Sequence, residues 1–499
     1  MAATRAVQRA RNAHRTRGDT AYVVYVCVLV AAIAGIPVVR AIVLALATPT
    51  AMSALSEAGT ERSIAVLGAL IWSIALVVGS ARGPVAPPPF VAATLSRSDI
   101  SPRAAWARDL LGSALGMALV LVAISALAVS GFLAHAVAVG ASISFVIGTV
   151  LFAVATTAIW LAGQVLGRRG AVILGSALAL LLVAAVVIPL DPPLLPASAL
   201  ANLWPSTDGA TSTAGAALVV LAATALAAVW AIVILLDRML PTTVEDHAQR
   251  WEAMTVLAAT GDISGALDRT RARPTVGRRV RIPFSRPLIL ALLQRAAIGA
   301  ARTPLRIVVA LVALAAAGVG WGWIAELQAG PRWVPAIGAG LLTFAAIGAF
   351  SDGFREAADM AGRPALYGRT AWTMLLLHVP LPLLAGVVVP VAAAMLSGST
   401  VETAAIVATI GVALVAVRAY DATKGPMPIE LMMPVPTPAG DASAIGMWAW
   451  QADALLWTGV VSFWLSTSST SGPATLLWAA PVVALLAALT AGRLRRASS

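Results

Sequence analysis

The chain has 499 residues, of which 60% are hydrophobic and 11% charged, and its 34 Lys and Arg against 22 Asp and Glu give a net charge of +12. A water-soluble domain carries about 25% charged residues, so this composition excludes an ordinary soluble fold and makes bilayer hydrocarbon the main solvent. The basic excess does not indicate nucleic acid, because the arginines stand at the ends of apolar runs, where they retain spans and meet anionic headgroups. The single cysteine, Cys27, excludes a disulfide framework or a cysteine metal site within the chain.

The N-terminus is a basic lead-in, residues 1–20, followed by an apolar run from Ala21 to Ala47. That run is too long for the core of a signal peptide and reads as an uncleaved first span with the N-terminus inside. A span needs about 20 apolar residues at 1.5 Å rise. Spans are predicted near 21–47, 63–81, 110–130, 138–163, 171–190, 214–236, 307–325, 333–350, 371–396, 402–418, 446–466 and 474–492. They are taken as helices, since every backbone group must be paired inside the bilayer and no ten-residue alternation of a β-barrel is visible. Of the 34 basic residues, 31 fall in every second gap, leaving Arg40, Arg62 and Arg332 for the other face. This alternation puts both termini in the cytoplasm. Arginine dominance, with Lys424 the only lysine, and much Ala, Gly and Val indicate a high-GC bacterial genome, hence a bacterial plasma membrane. Trp321, Trp323 and Trp333 read as one interfacial belt and Trp448 with Trp450 as another.

The linker 238–305 is the largest inner loop and, with Arg306 just beyond it, accounts for 12 of the basic residues. Thr242 with Glu245 makes a capping-box pattern, which predicts a helix to about Ala259, broken at Gly261 and Gly265. After a basic stretch from Arg269 to Arg286, Ser285 and Pro287 read as a cap and first-turn pair for an interfacial helix over Leu288 to Ala301. The linker separates a first six-span half, 21–237, from a second, 306–499. Six is even, so the halves run in the same orientation, a parallel repeat. The predicted fold is therefore all-α, a polytopic membrane protein with about twelve transmembrane helices in two parallel six-helix halves.

The spans are nearly bare of ionisable groups, which elsewhere mark proton relays and ion paths. His378 is the intramembrane polar candidate, followed by Pro380 and Pro382; its plainer reading is a polar contact at a proline-broken helix. No HExxH, no Walker loop and no Ser-His-Asp arrangement occurs, so no catalytic residue, cofactor or metal site is expected and the chain reads as a non-enzyme.

Two glycine-arginine stretches, Gly163 to Gly170 and Ala358 to Pro364, resemble a loop of major facilitator carriers, which use an Asp and an Arg to brace adjacent spans. The first lacks the Asp and follows the fourth predicted span, where those carriers have it after the second. The loop after the second span reads Arg82-Gly83-Pro84-Val85, then Pro87 to Pro89, an apolar turn from Phe90 to Leu95, and Ser96-Arg97-Ser98-Asp99-Ile100-Ser101-Pro102-Arg103. This resembles the corresponding segment of type-2 ABC exporter permeases, especially large actinobacterial ones. The resemblance implies that Arg97, Asp99 and Arg103 in one half, and Asp352, Arg355, Glu356 and Asp359 in the other, contact a separate ATP-binding-cassette ATPase, two copies per permease. It also implies short re-entrant helices in the loop Asp191 to Thr213. The second half departs from the pattern, with a short outer loop, Ser466 to Pro473, and a long inner one, Asp421 to Gly446. The expectation is an exporter subunit for a hydrophobic or amphipathic substrate; the rivals are a proton-coupled facilitator-like carrier and an integral membrane enzyme or scaffold. Single charged residues in these loops also fit a merely solvated face.

Overall fold

The computed structural model describes residues 21, 24–25, 28–29, 31–56, 58–187, 196–205, 211–259, 287–326, 332–364, 368–425, 427–433, 436–437, 440–441, 443–468 and 475–498. The basic lead-in 1–20 and the linker stretch 260–286, with its predicted glycine break and arginine run, lie outside them. The chain divides into two compact units, Met1–Val256 with Ala329–Pro331, and Leu257–Gln328 with Arg332–Ser499.

Six helical segments among the described residues are long and apolar enough to cross a membrane: Pro102–Ala128, Val139–Gly167, Ala214–Asp237, Arg306–Ala325, Ala371–Leu396 and Val401–Ala422. A further pair, Pro335–Ile347 and Asp352–Asp359, is bent by 65°. The chain is thus an α-helical, multi-pass membrane protein. Its only described strands are two residues each, Pro436–Thr437 and Gly440–Asp441, paired as a minimal hairpin.

In the first unit a π-helical turn, Ala31–Gly35, leads into α1 (Ile36–Leu46), followed by α2 (Pro49–Leu55) and α3 (Ala58–Ala81). The sequence between the second and third predicted spans folds as α4 (Pro89–Ser96), where an apolar turn is predicted. Proline at its first positions fixes φ and withholds an N–H that a helix start would leave unpaired anyway, so the tripled proline starts a helix here. Then come α5 (Pro102–Ala128), α6 (Ser130–Ala134), α7 (Val139–Val187), α8 (Pro196–Ala201), α9 (Thr211–Asp237) and α10 (Pro241–Ala259). Thr242 lies inside the first turn of α10, one residue past its start, so it is not the predicted cap.

Two predicted spans, 138–163 and 171–190, are the two limbs of α7, broken at Gly167, where φ is +66° and ψ 178°. Positive φ is the region glycine enters without a Cβ clash. Both limbs lie on α3. A Cβ on Gly163 would sit 2.0 Å from the Leu76 carbonyl oxygen, and one on Gly175 would sit 2.9 Å from Val77. A straight helix would carry Gly175 about 18 Å past Gly163, so the chain reverses at Gly167. The first limb crosses α3 at Gly79 and Gly163, a close backbone approach of the small-residue kind that membrane helices use when apolar burial gives no drive to associate. Farther along, Trp72 stacks on Phe152 at 5.2 Å and its Nε1 donates to Thr156 Oγ1 at 3.1 Å.

Near the start of α3, Trp204 packs edge-on against Phe132 and Phe145 and donates from Nε1 to the Leu55 carbonyl at 2.8 Å. This buries α8 in the loop where short helices are expected. Past the other end of α3, Val91, Ala92 and Leu95 of α4 join Val85, Trp106, Leu236, Val244 and Ala248 in a second apolar cluster, which docks α10.

The second unit comprises α11 (Leu288–Ala301), α12 (Pro304–Glu326), α13 (Trp333–Ile347), α14 (Asp352–Asp359), α15 (Ala371–Leu377), α16 (Pro380–Leu396), α17 (Val401–Ala422), α18 (Ser443–Ser468) and α19 (Thr475–Ser498). Pro287 occupies the cap position of α11, in place of the first-turn position predicted for it. Thr370 and Thr400 cap α15 and α17, each accepting from the N–H three residues on at 3.2 Å. Helix α17 is the hub: α12, α13, α16, α18 and α19 all pack on it. Leu314, Ile347, Phe354, Met374, Ile410 and Leu414 fill the core around it. Trp321 is part of that core and 3% exposed, so it is no belt residue; Trp323 beside it is exposed. The apolar surroundings of α12 outweigh the interfacial preference of its indole.

Candidate functional site

Each unit has an eight-residue helix in the same place in the order, α4 after α3 and α14 after α13. The candidate residues ride on these helices or directly after them.

In the first unit α4 turns Val91, Ala92 and Leu95 inward, and the chain after it presents Arg97 and Asp99 to solvent. Arg103 opens α5 and is already engaged: its Nε donates to Asp237 Oδ1 at 2.7 Å and its Nη2 to Asp237 Oδ2, closing a fork onto the end of α9. Both side chains are about half exposed, so water screens the pair and it contributes little to stability. The segment between α3 and α4 is clasped by Gln164, fully buried on α7. Its Nε2 donates to the Val85 carbonyl at 2.8 Å and its Oε1 accepts from the Val85 N–H at 3.3 Å. Arg82 lies 3.5 Å from the ring centre of Trp251 on α10, and burial holds its guanidinium below the ordinary arginine range. Trp160 Nε1 donates to the Arg82 carbonyl at 2.7 Å.

His247 of α10 is buried against the clasp, its Nδ1 3.3 Å from Gln164 Nε2. Nδ1 therefore accepts, which a neutral ring allows and a charged ring does not. Burial, and secondarily Arg250, push its pKa below the ordinary 6.5, against smaller opposite effects of a backbone hydrogen bond at Ser80 and of Asp246. A depressed histidine pKa means the unfolded chain binds the proton more readily. Its contribution is complete above pH 6.5 and is lost as pH falls through the lowered folded value. Hydrogen exchange across α10, corrected for intrinsic rates, should accelerate at pH 5.5 relative to pH 7.5, and the acceleration should shrink in His247→Asn. An equal acceleration in both would refute the assignment.

In the second unit α14 buries Phe354 and Ala357. Asp352 takes a fork from Arg306 of α12, at 2.7 and 3.1 Å, and Arg306 Nη2 also reaches the Gly348 carbonyl at 2.5 Å. Glu356 pairs with Arg295 of α11 at 2.9 Å. Arg355 is half-buried and Asp359 is exposed. His378 lies at the break between α15 and α16, 8% exposed, with its ring against α14: a Cβ on Gly353 would sit 2.2 Å from His378 Nδ1. The structure thus brings Asp352, Glu356 and His378 together around α14. Arg97, Asp99 and Arg103 lie in the other unit.

Two groupings escape a reading of the sequence. Arg418 of α17 donates from Nε to the Phe344 carbonyl at 2.8 Å, pairs with Asp421 at 3.1 Å and stacks on the Phe344 ring at 3.7 Å. As Gln164 clasps the segment directly before α4, Arg418 ties the end of α13 directly before α14; a long polar side chain three or four residues from a span's end is the signal for both. The other grouping centres on Asp453 of α18, which accepts from Lys424 at 2.6 Å, Arg493 at 2.9 Å and Tyr420 Oη at 3.2 Å. Arg493 also covers the Tyr420 ring at 3.7 Å. The ends of α17 and α19 meet at one carboxylate of α18, and nothing in the spacing of 420, 424, 453 and 493 announces it. Among the described residues no group of three or more His, Cys, Asp or Glu could hold a metal. Compared with known proteins, the chain matches no family model, no curated protein and no solved structure.

Proposed function

We propose that the chain is the membrane permease of an ATP-driven exporter, energised by two copies of a separate ATP-binding-cassette ATPase and moving a hydrophobic or amphipathic substrate across a bacterial plasma membrane. The observation that carries this reading is the pair of eight-residue helices, α4 between α3 and α5 and α14 between α13 and α15, where the twelve-span reading has its second-to-third-span loops. Asp352, Arg355, Glu356 and Asp359 fall within the eight residues of α14, so it suits a polar boundary far better than hydrocarbon.

The reading takes twelve spans. To the six segments that pass on length and apolarity it adds the first apolar run, α3, the second limb of α7, α13, α18 and α19. In this reading α13 packs on α18, α16 on α17 and α17 on α19 in the second half, while α3, α5 and α9 all pack on α7 in the first. With both termini cytoplasmic, α4 and α14 face the ATPase. Closure of the ATPase pair would push on the two short helices, and the clasps at Gln164 and Arg418 would pass the push to α3 and α13. Spans poor in titratable groups suit a mechanically driven exporter.

Arg103, Asp352 and Glu356 are spent on contacts within the chain, so the docking charges in this scheme are Arg97, Asp99 and Asp359. The test is capture of an ATP-binding-cassette ATPase encoded beside the gene, using full-length chain carrying Arg97→Glu, Asp99→Lys and Asp359→Lys. Reversals at docked charge pairs should weaken association on the order of 100-fold. Undiminished capture would overturn the docking assignment. Transport that collapses with an uncoupler and needs no ATPase would overturn the exporter reading itself.

A further inference from the structure

We propose that a cleft in the second unit, between the turn after α14 and the end of α19, binds the headgroup of an anionic phospholipid. The cleft measures about 450 Å³ and is lined by Arg363, Arg369 and Arg495 around an apolar floor that includes Met360, Trp372 and Leu494. No carboxylate is among the described residues that line it.

The local sequence explains how these groups meet. Helix α14 ends at Asp359, and Gly362, with φ +75°, turns the chain and starts the exposed segment that carries Arg363. Arg369 directly precedes the Thr370 cap, and Trp372 is the second residue of α15. From the other side α19 brings Arg495 next to the buried Leu494. Neither Arg363 nor Arg369 forms an ion pair or hydrogen bond with a side chain among the described residues. Arg363 and Arg369 thus bring two guanidiniums without a described side-chain partner to a cleft that Arg495 also lines, a concentration of positive charge that favours an anion.

The chemistry of that anion follows from the lining. Guanidinium forks match phosphate oxygens two at a time. A soluble phosphate compound would be better served by polar walls, whereas here the floor is apolar and includes an indole, the side chain suited to the headgroup level of a bilayer. The cleft also sits where the span Ala371–Leu396 begins, so the phosphate would lie at the membrane boundary with acyl chains along Trp372 and Leu494. Basic pockets at helix ends on the cytoplasmic side are suited to anionic headgroups. The inference rests on the chain spanning a membrane and is independent of the ATPase.

The test uses full-length protein in phosphatidylcholine nanodiscs titrated with spin-labelled phosphatidylglycerol, compared with spin-labelled phosphatidylcholine. With three arginines at one site, the preference for phosphatidylglycerol should be on the order of 100-fold. The triple variant Arg363→Gln, Arg369→Gln, Arg495→Gln should lose it. Arg369→Gln alone, at an exposed position outside any helix, should lower it by roughly fivefold and guards against a folding defect in the triple variant. Arg238→Gln, in the other unit, should leave it unchanged. The proposal is overturned if Arg369→Gln keeps the full preference, or if Arg238→Gln lowers it equally and so reveals only diffuse surface charge. Displacement of the lipid by millimolar inorganic phosphate would also overturn it, in favour of a soluble-phosphate site.

Discussion

Asp453→Asn should be among the most damaging single changes in the second unit, lowering its stability by about 3–5 kcal/mol, the cost of removing one partner from a buried ion cluster. The carboxylate holds Lys424 and Arg493, whose side chains are 13% and 18% exposed, and takes the Tyr420 hydroxyl as well. The amide fills the same space but carries no charge, so two cations would be left facing each other with little water to screen them. Thermal unfolding in detergent should show the midpoint falling by roughly 10 °C. Adding Lys424→Met to the variant should restore part of the loss, because it removes one of the two stranded charges. A midpoint within 2 °C of the unaltered chain would mean that the cluster is solvated in practice.

Gly163→Val should disrupt the first unit comparably. The first carbon added would lie 2.0 Å from the Leu76 carbonyl oxygen and 2.9 Å from its carbon, both backbone atoms that cannot rotate away. Helices α3 and α7 would have to separate, costing about 3 kcal/mol or more, the upper end of what overpacking does. They would also lose the close approach that holds them together in lipid. Monodisperse protein recovered after detergent extraction should drop severalfold. Gly112→Val on α5 is the control, since nothing lies within 4 Å of a Cβ there. Equal recovery of the two variants would show that the crossing tolerates separation.

The helical, membrane-crossing character was legible because it depends on long apolar runs and on backbone pairing, both local properties. So was the helix Leu288–Ala301, whose apolar residues recur on one face with Arg295 within it and Arg302 just past its end. Turns were harder. The reversal at Gly167 falls in the gap predicted between the spans 138–163 and 171–190, though the glycine that makes it was not singled out, and the residues of α4 read only as an apolar turn after a stiff Pro87 to Pro89 until the last proline is recognised as a helix start. The candidate charges were visible but not their partners. Arg103 with Asp237 lies 134 residues apart and Arg306 with Asp352 46 apart, distances over which only the packed fold decides who meets. His378 was visible as a polar group in a span; that its ring would rest on Gly353 of a short charged helix was not.

The two short helices are moored by different materials. Helix α14 buries Phe354 and Ala357 and adds to them charge pairs to α12 and α11, of which the side chains of Arg295 and Glu356 are 47% and 48% exposed, open to dissolved ions. Helix α4 is fastened by Val91, Ala92 and Leu95 in an apolar bed. Charge pairs at the surface slacken as ions screen them over a distance of about 10 Å at 0.1 M salt. Methyl groups do not; salt that is excluded from protein surfaces tightens their grip. The two short helices therefore behave as springs of unequal constant: the ionic strength of the surrounding solution can detune the charge-paired part of one mooring, while the other keeps or gains stiffness.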